Sequence, residues 1–110
     1  MTEERKMNSH QHWECGITRV MDSVSGKWKL NILWVIYSNK QIRFNHLLRR
    51  VKGVTKTSLT RSLNQLIADE LVLRKDFHSM PLRVEYSLTD KGKKLFPLLL
   101  ELNQWGKENL

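Results

Sequence analysis

The spacing of apolar residues constrains the fold of this chain more than any other feature. Apolar side chains recur every three or four positions from residue 17 to 67, alternate with polar ones from 71 to 88, and return to helical spacing from 95 to 105. The first kind of spacing is typical of amphipathic helices, and alternation is typical of a half-buried strand. The order therefore predicts four helices, a β-hairpin and a last helix, which is an α+β fold that is mainly α.

The second predicted helix, residues 27–38, carries apolar side chains around nearly its whole circumference. Such a helix is typical of the centre of a small domain, where other elements cover it on all sides. We therefore expect Trp28 and Trp34 to anchor the core, while Lys27 and Lys29 stay in water.

The third and fourth predicted helices, residues 43–51 and 56–70, are separated by a short connection that contains Gly53. Glycine can take the left-handed conformation that ends a helix, and Thr55 is a suitable N-cap for the helix that follows. Two short helices joined in this way are typical of a helix-turn-helix, which we predict for residues 43–70. The second helix of such a unit enters the major groove of DNA.

The alternating segment, residues 71–88, predicts a two-stranded β-hairpin that follows the helix-turn-helix as a wing. Thr89 is placed to cap the last helix, residues 89–110. The sequence thus predicts a winged helix-turn-helix as one domain over residues 14–110, preceded by a flexible polar arm at residues 1–13.

The distribution of charge indicates the kind of partner. No Asp or Glu lies between Asp22 and Asp69, a stretch that holds nine Lys and Arg residues in a chain of net charge +8. Solvated helices normally mix both signs, because opposite charges one turn apart are mildly favourable. A generically basic protein would not exclude acids so locally, so the stretch indicates a surface that meets a polyanion.

The candidate DNA contacts fall into two groups. Arg61 can bond guanine through two hydrogen bonds, and Asn64 can do the same with adenine. The predicted recognition-helix residues are Lys56, Thr57, Ser58, Thr60, Arg61 and Asn64. The predicted phosphate and wing contacts are Arg43, Lys52, Lys75 and Arg83.

Four segments of the sequence resemble the HxlR family of bacterial winged-helix regulators, which is related to the MarR type. They are GKWK at 26–29, RFNHL at 43–47, LTRSL at 59–63 and PLRVEYSLT at 81–89. The resemblance extends from Cys15 to Trp105 and implies a homodimer, a palindromic operator and dimerisation through the N- and C-terminal helices. It departs from the family at Glu70, near which the family usually has a glycine before the strand.

The last helix carries more apolar surface than its own domain needs. Four leucines form its stripe, and Phe96, Leu100 and Trp105 widen it. Soluble monomers usually avoid so large an exposed apolar surface, which favours packing of the terminal helices across a two-fold axis. The predicted interface residues are Val20, Val24, Leu98, Leu102 and Trp105.

Cys15, the single cysteine, opens the first predicted helix. A helix N-terminus lowers the pKa of a thiol, and the family resemblance implies that a cysteine here can sense oxidants or electrophiles. The alternative is a small apolar residue packed in the dimer interface. His10 and His12 could join Cys15 as metal ligands, but we expect the arm to be solvated and predict neither a metal nor a cofactor.

Other functional classes lack support in the sequence. No phosphate loop, nucleophile elbow or paired-carboxylate motif is present, so we do not expect an enzyme. No apolar run could span a bilayer or serve as a signal peptide, so we expect a cytoplasmic protein without a membrane partner. A small-molecule or oxidant effector stays open. A winged helix that binds RNA or another protein without operator specificity is the alternative to a DNA-binding regulator.

Overall fold

The computed structural model describes residues 14–110, with side chains from residue 16 onward. The predicted order of four helices, a hairpin and a last helix is confirmed. A π-helical turn, Glu14–Thr18, leads into the first helix. The helices are α1 (Arg19–Val24), α2 (Lys29–Asn39), α3 (Phe44–Arg50), α4 (Lys56–Ala68) and α5 (Asp90–Asn109), and the strands are β1 (Gln41–Arg43), β2 (Val72–Asp76) and β3 (Val84–Leu88).

The sheet has one strand more than the sequence predicted. β1 pairs antiparallel with β3, so the wing hairpin becomes part of a three-stranded sheet in the order β1-β3-β2. Arg43, predicted as the first residue of the third helix, ends this strand, and α3 begins at the next residue. Three residues are too few to display a period of two, so the sequence pattern could not reveal β1.

The core lies between α2, α3, α4 and the inner face of the sheet. Ile32 and Ile36 of α2 are fully buried there. Two expectations for this helix were wrong, because Lys29 is only 8% exposed whereas Trp34 is 50% exposed. One side of α2 faces the core, but the other carries apolar side chains that little in the described chain covers.

The turn of the helix-turn-helix follows the sequence prediction. Gly53 has a φ of 88°, which is the left-handed conformation expected there. A Cβ on Gly53 would lie 3.5 Å from the indole of Trp28, so the turn also lies against the residue that precedes α2. Thr55 caps α4, since its hydroxyl oxygen accepts a hydrogen bond from the Ser58 N–H at 3.1 Å.

The end of α4 explains the departure from the family pattern. Glu70 has a φ of 62°, and its N–H donates to the Ile67 carbonyl while the Leu71 N–H donates to the Leu66 carbonyl, both at 2.9 Å. This is a Schellman termination, whose left-handed residue is usually glycine. Glu70 therefore occupies a backbone conformation that glycine adopts without strain.

The start of α5 is bonded directly to that turn. Thr89 donates from its hydroxyl to the Glu70 carbonyl at 2.5 Å and accepts from the Gly92 N–H at 2.9 Å. Its own N–H donates to the Leu71 carbonyl at 3.1 Å. The last helix is thus oriented by two residues of the turn that ends α4, Glu70 and Leu71. Among the described helices, none is long and apolar enough to cross a membrane.

Candidate nucleic-acid interface

The outward face of α4 carries most of the predicted base contacts. All but Ser58 of the predicted recognition residues are exposed and lie together on one open surface of α4. This surface is formed by Lys56, Thr57, Thr60, Arg61, Asn64, Gln65 and Ala68. Ser58 is half-buried at the edge of this face. Gln65 was not among the predicted contacts, although its helical spacing from Arg61 could have identified it.

The opposite face of α4 fixes this orientation. Leu59, Leu63 and Leu66 are at most 1% exposed, so the helix cannot rotate without exposing them to water. Removing a leucine of this kind from a core typically costs about 2–5 kcal/mol, which is enough to hold the polar face outward. The helix contains no acidic residue, and it begins with the cation Lys56.

Three of the predicted phosphate contacts meet on the outer face of the sheet. Arg43 and Lys75 both pair in register with Glu85, one on each side of β3. Residues directly opposite in neighbouring strands point to the same face, so these side chains form a row. Arg83 joins them, because its Nε donates to the Glu85 carboxylate at 3.0 Å.

Phe77 orders the cations at the outer end of this row. The Arg83 guanidinium lies 4.1 Å and the Lys75 ammonium 4.9 Å from the centre of its ring. A cation over an aromatic face is attracted by the ring quadrupole, so the ring limits the freedom of both side chains. Two contacts therefore orient the guanidinium of Arg83 in the absence of a ligand. They are the hydrogen bond from its Nε to Glu85 and the stacking on Phe77, and they leave its Nη groups available.

The remaining cations lie around α3. Lys52 is exposed just after this helix and close in sequence to the glycine turn. Arg43, His46 and Arg49 line a cleft of about 570 Å³ whose other wall includes Leu82 of the wing. Arg49 was counted in the basic stretch but was not predicted as a contact. Only the folded sheet brings the wing next to Arg49, so the sequence could not show this proximity.

A second exposed surface lies away from α4 and is apolar. Leu98, Leu102 and Trp105 of α5 are each more than half exposed. Beside them, α1, α2 and α5 enclose a groove of about 530 Å³ to which Met21 and Trp34 contribute. This surface contains three of the five predicted interface residues.

The two α1 residues of the predicted interface behave differently. Val24 is 3% exposed and belongs to the core of its own chain, so it has almost no surface left for a partner. The apolar spacing of α1 could not distinguish burial within the chain from burial against a second copy. Val20 is half-buried and lies beside the end of α4.

The candidate sensor Cys15 and the two arm histidines lie at or beyond the edge of the described chain. Cys15 lies in the π-helical turn, but its side chain is outside the described part of the chain. His10 and His12 also lie outside the described residues. Within the described part, no cluster of His, Cys, Asp and Glu has the arrangement of a metal site.

Sequence comparisons give a consistent picture. The model of the HxlR-like helix-turn-helix family matches residues 23–110. An HTH-type transcriptional regulator of Halalkalibacterium halodurans is 43% identical over 86 residues, which cover 78% of this chain and 76% of the relative. The HTH-type transcriptional regulator YybR of Bacillus subtilis is 37% identical over 95 residues, covering 86% and 75% of the two chains.

Solved structures agree with this picture. A transcriptional regulator of the MarR family from Enterococcus faecalis superposes with a TM-score of 0.81 at 34% identity, covering 86% of each chain. The redox regulator HypR in its reduced form superposes with a TM-score of 0.78 at 35% identity, covering 84% of this chain and 91% of HypR.

Proposed function

Because the chain belongs to the HxlR-like helix-turn-helix family of transcriptional regulators, we propose that it binds double-stranded DNA sequence-specifically, as a homodimer on a palindromic operator. The observation that carries this proposal is the outward face of α4. Lys56, Arg61 and Asn64 share one open surface there, on a helix that has no acidic residue and whose other side is buried. No catalytic role is needed to account for these residues.

Each protomer reads bases with α4 and holds phosphates with its flanking cations. Arg61 bonds guanine and Asn64 adenine in the major groove, and the hydroxyls of α4 bond bases or phosphates. The phosphate contacts are Arg43, Lys52, Lys75 and Arg83, all of them exposed. The ring of Phe77 supports the two wing cations. The basic face of the sheet and the recognition helix then bind the same half-site.

The test is a selection of bound duplexes from a random DNA pool, followed by fluorescence anisotropy at several salt concentrations. With four phosphate cations per protomer, a dimer is expected to show a slope of about −7 for log affinity against log salt. Duplex RNA of the selected sequence should bind far more weakly, because its major groove is too narrow for a helix. Equal binding of duplex RNA, or no enriched DNA sequence, would favour the alternative RNA-binding or protein-binding module.

The homodimer rests on the apolar surface of α5. Residues 101–109 of this helix are exposed apart from Gly106, yet they include Leu102 and Trp105. A helix of 20 residues is about 30 Å long, so this part has room for a partner helix. Packing two copies of α5 across a two-fold axis, with Leu98 and Val20 at the edges, would set the recognition helices ~34 Å apart for successive half-sites.

An oxidant or electrophile is the effector that the comparisons favour. HypR, a redox regulator, is 35% identical to this chain, and Cys15 is the one thiol that this chain can use. Cys15→Ser is expected to keep DNA binding but lose any response to diamide. A variant that still releases DNA on diamide treatment would leave Cys15 as a structural residue. A DNA target also implies a cytoplasmic location.

A further inference from the structure

The tip of the wing exposes two large apolar side chains. The Phe77 N–H donates to the Arg83 carbonyl at 2.9 Å, which closes a loop of the five residues between them. Within that loop Met80 is 96% exposed and Leu82 is 70% exposed. Met80 is thus almost wholly in water, and it is more exposed than Leu73 or Leu82 of the same hairpin.

The loop that carries these side chains is held by several contacts. The His78 N–H donates to the Asp76 carboxylate at 2.8 Å, and the Ser79 hydroxyl donates to the Pro81 carbonyl at 2.9 Å. The Phe77 ring at its base lies against the two cations described above. Met80 and Leu82 therefore lie at the end of an ordered hairpin that carries Lys75 and Arg83, together with Asp76 and Glu85, next to the loop.

The length of the hairpin determines where this tip can reach. β2 begins four residues after α4 ends, so the base of the wing is tied to the recognition helix. A strand of five residues spans ~17 Å, whereas the major groove is ~12 Å wide. With α4 in the major groove, the wing can pass the adjacent phosphate backbone and reach the next minor groove.

We propose that Met80 and Leu82 enter this minor groove and wedge against the edges of a base step, while Lys75 and Arg83 hold the phosphates on either side. The minor groove has phosphates along its walls and stacked bases in its interior. It therefore suits a wing whose tip is apolar and whose strands carry Lys75 and Arg83 next to the tip. Methionine and leucine are among the side chains that unstack base steps in this way. The inference rests on the proposed DNA-binding function.

The consequence is a sequence preference outside the bases that α4 contacts. Pyrimidine–purine steps such as TA unstack more easily than others, whereas A-tracts are stiff. DNA with a flexible step beneath the wing tip should therefore bind more tightly than DNA with a stiff one, although no hydrogen bond distinguishes them.

The experiment uses the full-length protein and duplexes selected by it from a random pool. One variant replaces both tip residues, Met80→Ser with Leu82→Ser, and the matched control is Leu73→Ser. Leu73 is 52% exposed on the same hairpin but lies near its base. A 2-aminopurine at the flanking step reports unstacking through its fluorescence, and circular dichroism verifies the folding of each variant.

The wild type and the Leu73→Ser control should raise the 2-aminopurine fluorescence and favour a TA step over an A-tract at that position. The tip variant should lose both effects and bind the flexible duplex roughly tenfold more weakly, since apolar burial is lost. Its preference for the bases read by α4 should not change.

Two results would overturn the inference. If the tip variant keeps the fluorescence change and the step preference, the wing tip does not enter the groove. If it binds every duplex with wild-type affinity, the exposed pair serves another partner, such as a protein. Both results leave the DNA-binding function intact, whereas a wild type that enriches no sequence refutes that function and this inference with it.

Discussion

Gly92 is the glycine of the described chain at which a side chain would be tolerated least well. It lies in the first turn of α5, directly against the turn that ends α4. A Cβ built on it would overlap the carbonyl oxygen of Leu71 and lie 3.3 Å from the carbonyl carbon. Both atoms belong to the backbone and the Leu71 carbonyl accepts a bond from Thr89, so neither can rotate away as a side chain would.

Gly92→Ala is therefore expected to destabilise the fold, and Gly106→Ala in the same helix provides the matched control. Nothing in the described chain lies within 4 Å of a Cβ at Gly106. Both substitutions reduce the entropy of the unfolded chain, which stabilises a helical site by about 0.5–1 kcal/mol. Measured in the Trp105→Asp background, which removes the proposed dimer contact around Gly106, the difference between the two variants isolates the overlap with Leu71, about 1–3 kcal/mol.

Differential scanning calorimetry of the Trp105→Asp protein with and without each glycine substitution, at equal protein concentration, measures this difference. In a domain of this size each kcal/mol shifts the Tm by roughly 4 °C or more, so Gly92→Ala should melt clearly below Gly106→Ala. Equal Tm values for the two variants would refute the reasoning, because the junction of α4 and α5 would then have moved at no cost.

Three further predictions test other parts of the molecule. Arg61→Ala should weaken operator binding by roughly 1–3 kcal/mol and relax the sequence preference at one base position. Lys52→Ala should weaken binding to all duplexes alike and flatten the dependence of affinity on salt. Equal losses on operator and random DNA would make Arg61 a contact to the DNA backbone. Trp105→Asp should dissociate the dimer in sedimentation experiments and lose operator binding with α4 unchanged, a prediction that a monomeric wild type bound one-to-one would contradict. Glu70→Gly should raise the free energy of unfolding by about 0.5–1 kcal/mol, because it relieves the strain of a left-handed residue. Asp69→Gly, at a φ of −83°, should lower the free energy of unfolding. Urea melts that show the reverse order of stability would contradict this.

The helices, their order and the outward face of α4 could be predicted because they depend on local spacing. In a helix, residues such as Arg61 and Asn64 share a face whatever surrounds them, since the period of 3.6 residues is a property of the backbone. The Thr55 cap and the left-handed Gly53 were likewise predictable, because each acts within its own turn. The division into residues 1–13 and 14–110 stays a prediction.

Features that join distant parts of the chain came only with the folded structure. β1 exists because three residues find a partner in β3, more than forty positions away, and no local pattern marks such a pairing. The burial of Lys29 and the exposure of Trp34 depend on which elements pack against each side of α2. Arg43 and Lys75 come to lie on either side of Glu85, which also accepts a hydrogen bond from Arg83, for the same reason. Sequence spacing determines which residues share a face, but only the packing of elements determines what that face meets.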